Sequence, residues 1–290
     1  MYKRIVVGVD GSEQSNHAFA KALVIAEASE ATLIIGHVMD IRNFPNEHLL
    51  YSGQLWEEWK GVADELLQAH KKQAEAKGVV VETAFSSGNP RIQVAKELTK
   101  DYEADLLITS ATGRNRIDRL FTGSVAEAAM RHSPCDYLIV KGYENASNRY
   151  TNIVVGIDGS NQSENAVREA AILAKEHGSD LTIVYVLPVS SYQGVATSSP
   201  ELMEKREREK IKDMLASNKE RAEEMGALNV KTEFLYGSPR EKFSTGLSNT
   251  INPDLIVIGS TGTNMVTRFM IGSVAEAAMR HAPCDVLTVK

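Results

Sequence analysis

Short apolar runs rich in branched side chains alternate along the chain with longer stretches of helical periodicity, and the whole alternation occurs twice. Residues 4–9 and 152–157 read as buried strands, each running into Asp-Gly-Ser. Ser12 and Ser160 then suit the N-cap of an alanine-rich helix that extends to about residues 28 and 176. Residues 32–38 and 181–186 form the second strand, and a long helix is predicted over 56–76 and 200–225. A third strand covers 79–84 and 230–235. Pro90 and Pro239 suit the first turn of the helix that follows. A fourth strand starts at Asp105 and Asp254, and a last helix and strand close each copy.

Alternating strands and helices imply an α/β domain whose parallel sheet is covered on both faces, and the strands' scarcity of polar alternation agrees. Right-handed crossovers make each copy a doubly wound five-stranded sheet, expected in the order 3-2-1-4-5. The two domains are placed at residues 1–142 and 150–290, joined by a short polar linker. A fifth strand at a sheet edge carries unpaired backbone groups. Intramolecular pairing of the two halves through those edges is therefore expected, with a further homodimer as an open alternative.

Composition narrows the field without naming a function. The hydrophobic share of 43% with 24% charged residues is that of a soluble globular chain. A net charge of −6 gives no general attraction to nucleic acid or to an anionic membrane. No apolar run approaches the roughly 20 residues that span a bilayer, and the start lacks a signal-peptide core, so the cytoplasm is expected. The two cysteines, Cys135 and Cys284, occupy equivalent positions and suit neither a disulfide framework nor a zinc site.

The candidate chemistry sits in two stretches. Ser110-Ala-Thr-Gly113, nine residues, Gly123-Ser124 follows the fourth strand of the first copy; Gly259-Ser-Thr-Gly262, nine residues, Gly272-Ser273 follows that of the second. A glycine loop leading into a helix start can present backbone N–H groups to an anion. There is no Walker-type phosphate loop and no Gly-x-Gly-x-x-Gly after the first strand. Asp10 and Asp158 stand there instead and would repel phosphate. They suit a base or ribose hydroxyl, a cation, or a turn on their own backbone. A doubly wound sheet brings the loops after strands 1 and 4 to one crevice. Ser124-x-x-Glu127 and Ser273-x-x-Glu276 also read as capping boxes, which the serines could combine with phosphate contact. Arg119 and Arg268 suit phosphate or surface ion pairs, His132 and His281 suit a helix C-terminus, and Trp56 and Trp59 suit core or interface packing.

Taken together, Val-Gly-Ile-Asp158-Gly-Ser and Gly259-x2-Gly262-x9-Gly272-Ser273 resemble the ATP-binding branch of the universal stress proteins, over nearly the whole chain as two tandem domains. The resemblance implies a cytoplasmic regulatory protein that binds ATP or another adenine nucleotide, with Mg²⁺ on the phosphates. It implies a site of Ile157, Asp158, Val186, Gly259, Gly262, Thr263, Gly272, Ser273 and Val274 in the second copy. Asp158 would lie by the adenosine, the Val186 backbone would hold adenine, and the glycines and Ser273 would take ribose and phosphates. In the first copy the matching positions are Val9, Asp10, Val38, Ser110, Gly113, Arg114, Gly123, Ser124 and Val125. Ser110 replaces a glycine. If that position needs φ > 0, serine costs on the order of 1 kcal/mol, and the second site should bind at least as tightly. No shared His, Lys or Glu is placed for catalysis, so at most slow ATP hydrolysis is expected. A slow ATPase and a ligand-free interaction module are the alternatives.

Overall fold

In the computed structural model, residues 1–42, 53–113, 122–141, 148–188, 200–262 and 271–290 are described, with the side chains of 54 and 200–204 excepted. The chain divides into two compact units, Met1–Asn148 and Arg149–Lys290.

The first unit runs β1 (Arg4–Gly8), α1 (Glu13–Ser29), β2 (Thr32–Asp40), α2 (Gln54–Glu75) and β3 (Val81–Gly88). A helical run follows, called α3 here, in three pieces: Pro90–Ile92, a π-helical turn at Gln93–Glu97, and Leu98–Asp101. β4 (Leu106–Ser110), α4 (Ser124–His132) and β5 (Asp136–Val140) complete it. The second unit repeats the order with β6 (Asn152–Ile157), α5 (Asn161–His177), β7 (Asp180–Leu187), α6 (Pro200–Glu224) and β8 (Asn229–Tyr236). It ends with α7 (Pro239–Ser244), a 3-10 turn at Gly246–Asn249, β9 (Leu255–Gly259), α8 (Ser273–His281) and β10 (Asp285–Val289).

Within each unit the strands are parallel and ordered 3-2-1-4-5, as expected: β3-β2-β1-β4-β5 and β8-β7-β6-β9-β10. Ile5, Val6, Val7, Leu33, Ile34, Ile35, Leu106, Leu107 and Ile108 are almost fully buried, which accounts for the near-continuous apolar runs of central strands. Ser12 and Ser160 are the N-caps foreseen, accepting from Ser15 N–H at 3.1 Å and Ser163 N–H at 3.2 Å.

The N-terminal edge of each sheet is stapled by carboxylates that the sequence reading did not single out. Asp105 accepts the N–H groups of Lys3 and Arg4 at 2.7 and 3.0 Å, and Asp254 accepts those of Thr151 and Asn152 at 2.6 and 3.0 Å. Tyr2 donates to Asp136 at 3.0 Å and Tyr150 to Asp285 at 2.9 Å. These bonds tie strand 1 to strands 4 and 5 at the end away from the glycine loops. The C-terminal edge, where a doubly wound sheet opens its crevice, is left for chemistry.

Candidate functional site

The site is assembled by two loops that lie far apart in sequence. Asp10 follows β1. Its Oδ1 accepts Ser12 N–H at 3.0 Å and the Ser12 hydroxyl at 2.5 Å, a short turn that starts α1. Its other oxygen is turned to the strand-4 loop: a Cβ on Gly113 would lie 2.6 Å from Asp10 Oδ2. The second unit reproduces this. Asp158 Oδ1 accepts Ser160 N–H at 3.0 Å and the hydroxyl at 2.6 Å, and a Cβ on Gly262 would lie 2.6 Å from Asp158 Oδ2. The two readings of the aspartate are thus divided between its oxygens, one closing the turn and one facing the glycine loop. Gly11 and Gly159, at φ +78° and +82°, supply the left-handed residue that this turn needs.

The far end of the glycine loop is pinned to its start. Gly123 N–H donates to Ala111 O at 2.6 Å and Gly272 N–H to Ser260 O at 2.7 Å. Gly123 and Gly272 are the N-caps of α4 and α8 and carry no side chain to cap with. Ser124 and Ser273 are the first helical residues and are exposed. The capping-box arrangement is therefore not adopted. Glu276 instead accepts Arg280 Nε–H at 3.2 Å, and Glu127 lies 4.0 Å from Arg131. The first N–H to find a helical carbonyl is that of Glu127, on Gly123 O at 2.9 Å, with Glu276 on Gly272 O its counterpart. The N–H groups of Ser124 and Val125, and of Ser273 and Val274, precede it at the positive end of the helix dipole. That geometry suits an anion.

At the other end of the crevice, β1 pairs with β2 only as far as Gly8 opposite Gly36, so Val38 extends past it while still pairing with Ser86 of β3. Likewise β6 and β7 pair as far as Ile157 opposite Tyr185, and Val186 is the next residue. Val9, Ile157 and Val186 have buried side chains, and Val9 N–H is already bonded to Gly36 O at 2.9 Å. The neighbours differ between units. His37 Nδ1 bonds Val9 O at 2.8 Å and its ring stacks near Phe85. Tyr185 takes the same place against Phe234, and burial, with Glu207 and Asp158 nearby, holds its hydroxyl above the usual phenol range. Trp56 packs on Phe85 beside Met39 and Ile41, as core packing requires, whereas Trp59 is 40% exposed, which fits interface packing alone.

Ser110 and Gly259 answer the question of the missing glycine. Neither has a positive φ, so the penalty for serine in the left-handed region does not arise. A Cβ on Gly259 would meet Gln162 Cβ at 2.9 Å and the Gln162 backbone carbon at 3.0 Å, so this glycine makes room for the start of α5. In the first unit Ser110 donates its hydroxyl to Thr112 O at 2.7 Å. Arg114, Thr263, Arg119 and Arg268 lie outside the described residues. Among the described residues no group of three or more His, Cys, Asp and Glu could hold a metal ion, and no helix is long and apolar enough to cross a membrane.

Comparison with known proteins places the chain in a family. The family model described as the universal stress protein family matches residues 1–141 and again 149–290. A putative universal stress protein of Staphylococcus saprophyticus is 39% identical over 144 residues, which is 49% of this chain and 86% of that protein. One from Staphylococcus aureus is 38% identical over the same length and the same shares. Among solved structures, a putative universal stress protein of Pseudomonas aeruginosa has a TM-score of 0.72 at 16% identity, covering 100% of this chain and 93% of that one. One from Archaeoglobus fulgidus has a TM-score of 0.67 at 19% identity, covering 99% and 98%. Those two likenesses bear on the fold.

Proposed function

The chain belongs to the universal stress protein family as a tandem pair of its domains, and we propose that each unit binds an adenine nucleotide, ATP in the first instance, in a cytoplasmic regulatory role. The observation that carries the reading is the approach of Asp10 to Gly113 and of Asp158 to Gly262 beside an uncapped helix start. A carboxylate that accepts hydrogen bonds and backbone N–H groups that donate them are thus offered along one crevice. A nucleotide suits both, with hydroxyls and a base at one end and phosphates at the other.

In this reading the backbone of Val38 or Val186 reads the base, with Val9 or Ile157 alongside. Asp10 Oδ2 or Asp158 Oδ2 accepts a ribose hydroxyl. Gly113 and Gly262 let the chain approach the sugar because a side chain there would strike the aspartate. The N–H groups and hydroxyls of Ser124 and Ser273 take the phosphates, with Val125, Val274, Arg114 and Thr263 adjoining. Mg²⁺ would arrive on the phosphates, since the described residues offer no cage of carboxylates for it. Ser110 and Gly259 shape the loop, so the two sites are proposed to be alike in affinity. Pairing of the halves, and any further homodimer, belongs to the same proposal: β5 and β10 end the strand order of their own units.

The test is mass spectrometry of small molecules released from protein purified without added nucleotide. Adenine nucleotide is the expected result. Its absence, with no binding of added ATP, would favour a ligand-free interaction module. ADP produced slowly from ATP, and abolished by Gly272→Asp, would add hydrolysis to the reading.

A further inference from the structure

We propose that the groove between α3 and α4 of the first unit is a docking site for an acidic, partly apolar segment of a partner protein. The groove has a volume of about 370 Å³. Arg91, Ile92 and Lys96 line it from α3, and Ser124, Glu127 and Arg131 line it from α4. Two guanidinium groups and one ammonium thus face one carboxylate, on a chain whose overall charge is −6. A patch whose sign opposes that of the whole molecule attracts acidic partners selectively. Glu127 lies 4.0 Å from Arg131, and Asp40, near Arg91, is held by Arg42 at 2.6 and 2.8 Å.

Three features favour a peptide over a small polyanion. The cationic residues are all exposed, whereas a tight small-anion site buries its donors. Ile92 is 49% exposed among them and offers an apolar anchor. α4 has nine residues and is about 13 Å long, room for about four extended residues.

The groove belongs to the first unit by construction. Glu241 and Thr245 occupy the places of Ile92 and Lys96 in the second copy, which removes the apolar anchor and one cation and adds a carboxylate. The backbone differs too. The π-helical turn Gln93–Glu97 carries Lys96, whereas the second unit has an α-turn run, Pro239–Ser244, and a 3-10 turn. Single π turns inside helices are frequent at functional sites. The groove reaches Ser124 of the proposed nucleotide site at the N-terminal end of α4, but the residues that would hold the peptide, Arg91, Ile92 and Lys96, lie on α3 and belong to no part of that site.

The test is fluorescence anisotropy of the full chain with a fluorescein-labelled decapeptide of repeating Asp-Leu-Glu. Binding is expected to weaken from about 50 to 300 mM salt, to vanish for the Asn-Leu-Gln peptide, and to fall about tenfold in Arg91→Glu/Lys96→Glu. The matched pair Arg240→Glu/Thr245→Glu in the second unit should bind like the parent, and ATP titration should be unchanged in both. Ile92→Ser, which leaves the charge alone, should also weaken the peptide and serves if the charge-reversed protein does not fold. The proposal is overturned if the parent chain fails to bind the acidic peptide at millimolar concentration, or if both pairs behave alike. It is equally overturned if Ile92→Ser has no effect, or if tripolyphosphate binds the groove and the peptide does not.

Discussion

Asp158 Oδ2 stands 2.6 Å from the position that a Cβ would occupy on Gly262, and Asp10 Oδ2 stands at the same distance from that position on Gly113. The aspartate's other oxygen is held by Ser12 or Ser160, so an added methyl would press on a carboxylate that is already pinned. Gly262→Ala should therefore destabilise the protein by about 1–3 kcal/mol, the usual cost of forcing an extra methyl into an occupied space. Asp158→Ala should relieve much of that cost in the double variant while removing nucleotide binding from the second unit. Chemical denaturation of the four proteins in the cycle checks the coupling; additive effects would mean that the two residues do not meet.

Gly259 and Ser110 should behave as loop-shaping residues. Gly259→Ser pushes a side chain against Gln162 and should cost about 1–3 kcal/mol of stability. Ser110→Gly removes one hydrogen bond, to Thr112 O, and should cost about 0.5–1.5 kcal/mol. Both should change ATP affinity less than about threefold once the protein is folded, a factor worth under about 1 kcal/mol. Calorimetry on the folded variants is the check. A large loss of affinity in either one would return that residue to the ligand.

Much of this arrangement was legible in the sequence, and the reasons can be traced to residues. The strand order follows from the alternation of elements, and once it is known Asp10 and Gly113 must share a crevice. What stayed hidden depends on contacts that no local pattern encodes. Ser124-x-x-Glu127 spells a capping box, yet Gly123, with extended backbone, takes the N-cap and Ser124 is already the first helical residue. Gly259 looks like a ligand glycine until Gln162 is placed beside it. Asp105 and Asp254 read as strand flanks, and their bonds to the start of β1 and β6 need the neighbouring strand. The π turn at Gln93–Glu97 has no sequence signature at all.

The staples at the N-terminal edge should be unequal in strength. Asp285 is 2% exposed and Asp136 more so, and each takes a tyrosine hydroxyl. Tyr150→Phe leaves a buried carboxylate short of a donor and should cost about 1–3 kcal/mol. Tyr2→Phe should cost less. Thermal unfolding of the two variants gives the ranking, and equal shifts would contradict it.

Glu176 supplies a pH dependence with a definite sign. Burial raises its carboxyl above the usual range, and neither oxygen has a hydrogen-bond partner among the described residues. A pKa raised on folding contributes stability that is fully present below the unfolded value, about 4.3, and is lost as pH rises through the folded one. Glu176→Gln should therefore be the more stable protein at pH 7, by less than about 1 kcal/mol because the group is only half-buried. The advantage should shrink towards pH 4. Unfolding free energies of both proteins across that range decide it, and a constant difference would rule out titration of this group.

Each unit is proposed to carry one nucleotide site, made by the start of α4 or α8 and the aspartate that faces the glycine loop before it. Calorimetric titration of ATP into the parent chain, Gly123→Asp, Gly272→Asp and the double variant tests it most directly, with thermal unfolding showing that each is folded. Two sites are expected in the parent, one in each single variant with near-equal affinity, and none in the double. A folded parent that takes up no adenine nucleotide, or a folded double variant that binds as the parent does, would contradict it.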